Sequence, residues 1–218
     1  MLGILIAGGC VQDDWISSIL HVYEKKANWL LAIDGGLAVL KRLHRIPQEA
    51  VGDFDTINPE ILSYYRQIPG IIWRTHKPEK DATDTELALE AAKEAGCSHV
   101  ILLGATGGRL DHELSNIQLL NLYTDTDMDM EILDEKNRIT LLRAGRRTFF
   151  RETLYGKYIS FVPLSEEVKG ITLTGFKYPL TKKDITIGSS LCISNELVSE
   201  KAEITFDRGI LLCIESRD

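Results

Sequence analysis

Cationic side chains are in short supply in this chain: 25 Lys and Arg face 32 Asp and Glu, for a net charge of -7 and a pI near 5.3. General binding to nucleic acid or to an anionic membrane needs a basic patch, so both partner classes are excluded, and an anionic ligand must be met by a local cation. No apolar run is long enough to cross a bilayer. Residues 1–7 are apolar but lack a basic leader and run straight into Gly8-Gly9, which predicts a buried first strand rather than a secretory signal. Cysteine is sparse. Cys10, Cys97, Cys192 and Cys213 are far apart, form no Cys-x-x-Cys pair and lie beside apolar residues, as reduced, buried thiols of a cytoplasmic protein do. His76, His99 and His112 stand isolated, with no His or Cys at metal-ligand spacing. Two phosphate-binding signatures are missing as well: there is no Walker loop, and Gly8-Gly9 is not a dinucleotide fingerprint. Low-complexity linkers and internal repeats are absent.

What remains is enough for two modest cores in 218 residues that are 44% hydrophobic. Over residues 1–142, apolar runs of strand length (3–7, 29–33, a run ending at 51, 71–73, 100–103, 131–133) alternate with helical patterns (15–25, 37–43, 59–66, 83–95, 112–123). Such alternation predicts an α/β domain with a mostly parallel, Rossmann-like sheet covered on both faces. Over residues 143–218, recurrent glycines separate short segments rich in Ile, Thr, Val and Phe, which predicts a small all-β sandwich. Residues 202–206 and 210–214 flank Asp207-Arg208-Gly209 in the manner of a hairpin. The polar stretch 124–129 reads as a solvated loop.

The clusters of Gly and Asp in the first domain all follow expected strands: Gly8-Gly9, Asp34-Gly35-Gly36, Gly52-Asp53-Phe54-Asp55, the loop holding Lys80 and Asp81, and Gly104 to Asp111. They should share one rim, the rim where open α/β sheets bind ligands. Turn-forming residues alone would also be scattered over the opposite rim, where Gly70 and Gly96 carry no acids. Asp81 and Asp84 flank a helix start with capping-box spacing, Thr83 to Glu86, and either could be no more than a dipole-matching acid. Asp53 and Asp55, two apart on extended chain, should point to one side. Two carboxylates about 4 Å apart repel by roughly 4 kcal/mol at an effective dielectric near 20, so a cluster of Asp53, Asp55, Asp81 and Asp111 needs protons or a cation. An all-oxygen set suits Mg²⁺ shared with substrate phosphates. Residues 104–111 add small residues for close backbone approach, a helix start, and the Arg109 fork. Carboxylates, Mg²⁺ and an anion cradle on one rim indicate phosphoryl-group chemistry. A Mg²⁺-dependent nucleotide phosphohydrolase and a non-catalytic nucleotide-binding dimer are the alternatives from other classes.

The ordered set Asp34-Gly35-Gly36, Gly52 to Asp55, Lys80 to Glu86, Gly107 to His112, then Gly175 to Leu180 and Ile193 to Glu196, resembles the thiamine pyrophosphokinase family over nearly the whole chain. The resemblance implies transfer of a diphosphate from ATP to the hydroxyl of thiamine, giving thiamine diphosphate and AMP. It implies ATP and Mg²⁺ in the first domain, thiamine bound with help from the second, and a homodimer with shared active sites. Carried over, Asp53, Asp55 and Asp81 would hold Mg²⁺, and Asp111 would be a further ligand or orient the thiamine hydroxyl. Arg109, Gly107 and Gly108, beside Thr106, would face the phosphates; Asp34, Lys80 and Asp84 would line the nucleotide side. Tyr178, Ser194 and Asn195 would meet thiamine, although residues alone read Ser194-Asn195 as a turn and Tyr178 as a strand edge. Thr56 stands where the family commonly has Ser and keeps the hydroxyl. No aromatic platform for thiamine is assigned among Trp15, Trp29 and Trp73.

Overall fold

A computed structural model describes residues 1–23, 27–75, 81–123 and 127–218. The chain divides into two compact units, Met1–Glu135 and Lys136–Asp218.

In the first unit, five helices alternate with six strands among the described residues: β1 (Leu2–Ile6), α1 (Asp13–Tyr23), β2 (Ala27–Ile33), α2 (Gly36–Arg42), β3 (Glu49–Gly52), α3 (Pro59–Arg66), β4 (Ile72–Thr75), α4 (Asp84–Glu94), β5 (His99–Leu103), α5 (Leu110–Tyr123) and β6 (Asp129–Leu133). The strand order is β6-β5-β1-β2-β3-β4 and every pairing is parallel. Consecutive residues of the central strands are buried, Ile4 to Ile6 in β1 and Val100 to Leu103 in β5, so both faces of the sheet are covered. Two helix starts follow their sequence signals. Asn58 caps α3, accepting from the Glu60 N–H at 2.8 Å with Pro59 in the first turn, and Thr83 caps α4, accepting from the Glu86 N–H at 3.2 Å. Helix α4 then buries Thr85, Ala88, Leu89, Ala91 and Ala92 against β2 and β3. Leu89 alone, fully buried, contributes about 2 kcal/mol. The edge strand β4 is tied down by charge: Arg74 pairs with the buried Glu49 of β3 and, at 2.6 Å, with Glu94 of α4. No described helix is long and apolar enough to cross a membrane.

The second unit holds β7 (Asn137–Phe150), β8 (Tyr158–Pro163), β9 (Glu167–Thr174), β10 (Leu180–Thr186) and β11 (Lys201–Ser216), all antiparallel in their pairings. Strand β7 runs through position 142, so the units divide nearer the chain start than the boundary drawn from the sequence. The expected hairpin at Asp207-Arg208-Gly209 does not form. Residues 201–216 are one strand paired with β7 along its length, and the three residues make a bulge opposite Ala144, between the pairs Phe206–Gly145 and Ile210–Arg143. A bulge and a hairpin turn share the same sequence cue, a glycine at positive φ, and only the partner strand decides between them. Gly209 has φ +104 and backs onto Glu167 and Ser165, where a Cβ would collide.

The bulge makes the sandwich. Before it and within it, as far as Arg208, β11 pairs with β9, and after it with β8. Phe149 lies opposite Ala202 and Phe161 opposite Cys213, positions about 35 Å apart on a straight strand, yet the two rings are 5.9 Å apart. The strand pair is therefore folded over, and Phe149, Phe161 and Phe176 meet in one core with Ile171, Ile204 and Leu211.

Candidate active site

Strand β1 has β2 on one side and β5 on the other, so chain connections leave it in opposite directions. That switch point is where an open α/β sheet binds ligands. A cleft of about 590 Å³ opens there, lined by Ala7 to Gly9 after β1, Ile33 to Gly35 after β2, Thr56, Ala82 to Thr85 at the start of α4, Gly104 to Thr106 with Gly108 and Arg109 after β5, and His112, Glu113 and Asn116 of α5. The loops pack backbone against backbone. Gly9 donates to the Gly104 carbonyl at 2.9 Å, and a Cβ on Gly9 would strike that carbonyl and that of Thr106. Gly52 likewise has its α-carbon against the Asp34 carboxylate.

Asp34 is the hinge of the acidic wall. It has φ +41, a conformation Asp tolerates better than most residues, and its Oδ1 accepts from the Phe54 N–H at 3.3 Å. Burial first, and then the neighbouring Asp84, to which it is hydrogen-bonded, push its carboxyl up to about 7; Asp53 adds to the effect. Two helix and strand ends thus press like charges together. Among the described residues, no three His, Cys, Asp or Glu side chains form a ready-made metal cage.

The Asp53-Phe54-Asp55 segment departs from expectation. Phe54 has φ +59 and the Asp53 carboxylate accepts from the Asp55 N–H at 3.2 Å, so this is a tight Asx turn and not an extended chain with both acids on one side. Phe54 is buried edge-on against Trp73, and that anchor sets the turn. Asp55 and Asp81 are exposed, and neither belongs to the cleft lining. Lys80, with Lys77 and His76, lies outside the described residues.

The donors expected to take phosphate are already occupied by carboxylates. Arg109 holds Asp111 in a two-pronged pair, at 3.1 and 2.6 Å, which drives the Asp111 carboxyl down to about 2. The Gly108 N–H donates to Glu113 at 2.8 Å, Gly107 supplies the turn with φ +78, and the Thr106 hydroxyl donates to Asp134 at 2.9 Å. Buried Asn116 holds the Ala105 carbonyl at 2.9 Å. Glu113, Asn116 and Asp134 were not singled out from the sequence. Asp134 ends β6 and follows the same rule as the other acids after strands, whereas Glu113 and Asn116 become visible only when α5 is placed.

In the second unit, Tyr178, Ser194 and Asn195 are brought together. Asn195 is buried, and its amide is engaged: Oδ1 accepts from the Tyr178 N–H at 3.0 Å and the Glu196 N–H at 2.9 Å, and Nδ2 donates to the Tyr178 carbonyl. Tyr178 is exposed, as is Ser194, which has φ +55. Glu196 pairs with Lys177 at 2.9 Å beside them. Of the tryptophans, Trp73 is covered by the Arg66 guanidinium at 3.8 Å and Trp29 is buried.

Known proteins match this arrangement in both units. The family described as thiamin pyrophosphokinase, catalytic domain, matches residues 20–136, and the vitamin B1 binding domain of the same enzyme matches residues 147–211. Thiamine pyrophosphokinase of Bacillus subtilis (strain 168) is 38% identical over 215 residues, 98% of each chain. The crystal structure of thiamine pyrophosphokinase from Bacillus subtilis superposes with a TM-score of 0.88 at 36% identity, over all of both chains. That of thiamin pyrophosphokinase from Geobacillus thermodenitrificans has a TM-score of 0.86 at 36% identity, covering 100% of this chain and 98% of the other. The chain belongs to the thiamine pyrophosphokinase family.

Proposed function

We propose that this protein transfers a diphosphate from ATP to the hydroxyl of thiamine, giving thiamine diphosphate and AMP. The observation that carries the reading is the switch-point cleft, in which a glycine-lined anion cradle ending in Arg109 faces the paired carboxylates of Asp34 and Asp84. In the reaction the thiamine oxygen bonds to the β-phosphorus, and the bond from that phosphorus to the oxygen bridging to the α-phosphate breaks. AMP leaves with the electron pair, and the hydroxyl proton passes to solvent.

Within this reading, Gly107, Gly108, Thr106 and Arg109 receive the phosphates, which replace Glu113 and Asp111 on the donors. Asp34, Lys80 and Asp84 line the nucleotide side. Asp111, released when the phosphates take Arg109, serves as a further metal ligand or orients the thiamine hydroxyl. A divalent cation fits the acidic wall: burial first, and then Asp84 and Asp53, disfavour the charge on Asp34, which a cation would relieve, and Mg²⁺ is typically held by one or two carboxylates plus substrate phosphates. Asp53, which adds to the charge pressing on Asp34, would hold it, with Asp55 and Asp81, both outside the cleft lining, as the further ligands. Mg²⁺ supplies neutralisation of phosphate charge and polarisation of the transferred group. Tyr178, Ser194 and the loop pinned by Asn195 receive thiamine. The chain acts in the cytoplasm as a homodimer with shared active sites, its cysteines free: Cys97, Cys192 and Cys213 are buried as expected, whereas Cys10 is exposed.

The test is direct: purified protein with ATP, Mg²⁺ and thiamine should give AMP and thiamine diphosphate in equal amounts. ADP in place of AMP would refute diphosphoryl transfer. Phosphate release that ignores thiamine would make the protein a hydrolase.

A further inference from the structure

One edge of β8 is paired with a returning segment of chain. Ile159 exchanges both backbone hydrogen bonds with Asn195, each at 2.9 Å, and the Phe161 N–H donates to the Cys192 carbonyl at 3.0 Å. Between these fixed points the two residues Ile193 and Ser194 face the single residue Ser160, which defines a bulge. A bulge leaves one backbone group over and re-aims the side chain of the extra residue. Here the leftover donor is the Ser194 N–H, and the Ser160 hydroxyl accepts it at 2.9 Å. Ser160 is 9% exposed, whereas Ser194 is exposed and has φ +55, a left-handed conformation unfavourable for Ser.

We infer that Ser160 is a positioning residue for the thiamine subsite: its buried hydroxyl holds the Ser194 bulge in the left-handed form that turns the Ser194 side chain outward. This rests on the reading that Ser194 meets thiamine. The cost of a left-handed Ser and the return from one neutral hydrogen bond are of similar size. Without the Ser160 hydroxyl, the cost of the left-handed Ser194 is no longer offset within the bulge, whose flanks alone stay paired. The Asn195 side chain fixes only the following residue and the Tyr178 backbone, so it cannot replace that bond. Ser160 carries no mark in the sequence. It sits inside an ordinary strand pattern and becomes significant only through a partner 34 positions away.

The experiment measures steady-state constants for both substrates in Ser160→Ala, Ser160→Thr and Ser194→Ala. Ser160→Ala should raise KM for thiamine about fivefold, leave KM for ATP within about twofold, and leave the melting temperature close to that of the parent. Ser160→Thr, which keeps the acceptor oxygen, should restore the thiamine KM. A normal thiamine KM in Ser160→Ala beside a raised one in Ser194→Ala overturns the inference and leaves the subsite in place. Normal values in both remove Ser194 from the subsite, and the inference falls with it. Equal rises for both substrates, with a lowered melting temperature, make Ser160 a stability residue and also overturn it. If Ser160→Ala does not fold, Ser160→Cys, similar in size but a poor acceptor, is judged by the same criteria.

Discussion

Asp34 shows how a single side chain lining the cleft can work against the fold. Its carboxyl keeps its proton to about pH 7 in the folded protein, against about 4 in an unfolded chain, because burial and Asp84 both disfavour the charge. The folded state therefore binds the extra proton between those values. The contribution to stability is complete below about pH 4 and is lost as pH rises through about 7. Without metal or nucleotide, the parent should lose more stability than Asp34→Asn between pH 5 and pH 8. The difference should be about 1–2 kcal/mol after allowance for solvent screening. Asn keeps the acceptor for Phe54 and tolerates positive φ, so the comparison isolates the charge. Parallel melting curves over that range would place the strain elsewhere.

Helix starts and strand ends set where the acids and donors stand. Thr83 caps α4 and thereby delivers Asp84 to Asp34, while the first turn of α5 carries Asp111 and Glu113 to the donors of Arg109 and Gly108. Caps of this kind follow from local chemistry, and the sequence marked the one at Thr83 correctly. The segment from 201 to 216 is the counterexample. Asp207-Arg208-Gly209 satisfies the rules for a hairpin turn, yet β7, more than fifty residues earlier, extends past it and captures both sides. Gly209→Ala should lower the melting temperature, at a cost of about 2–3 kcal/mol, because a Cβ at φ +104 meets Glu167 and Ser165. An unchanged melting temperature would show that the strand crosses this point without needing the left-handed residue.

All of the net negative charge lies in the first unit, and the second carries more Lys and Arg than Asp and Glu. Opposite charge on two units of one chain favours association between copies. With a chain mass of 24.5 kDa, the proposed homodimer should elute at about 49 kDa in light scattering, and the mass should fall as salt is raised at low protein concentration. A monomer mass under all conditions would refute shared active sites. Periodicity, caps and the run of acids after strands were enough to determine two units, the parallel sheet and the rim where the cleft opens, because each depends on neighbours within one element. Six short motifs in order were enough for the family. Tertiary structure alone decided the rest: the tight turn at Phe54, the bulge that bends β11, the pairing of Asp34 with Asp84, and the buried hydroxyl of Ser160. Each of these is a contact between residues far apart in the chain, where the local preference allows two answers and the energy of the partner selects one.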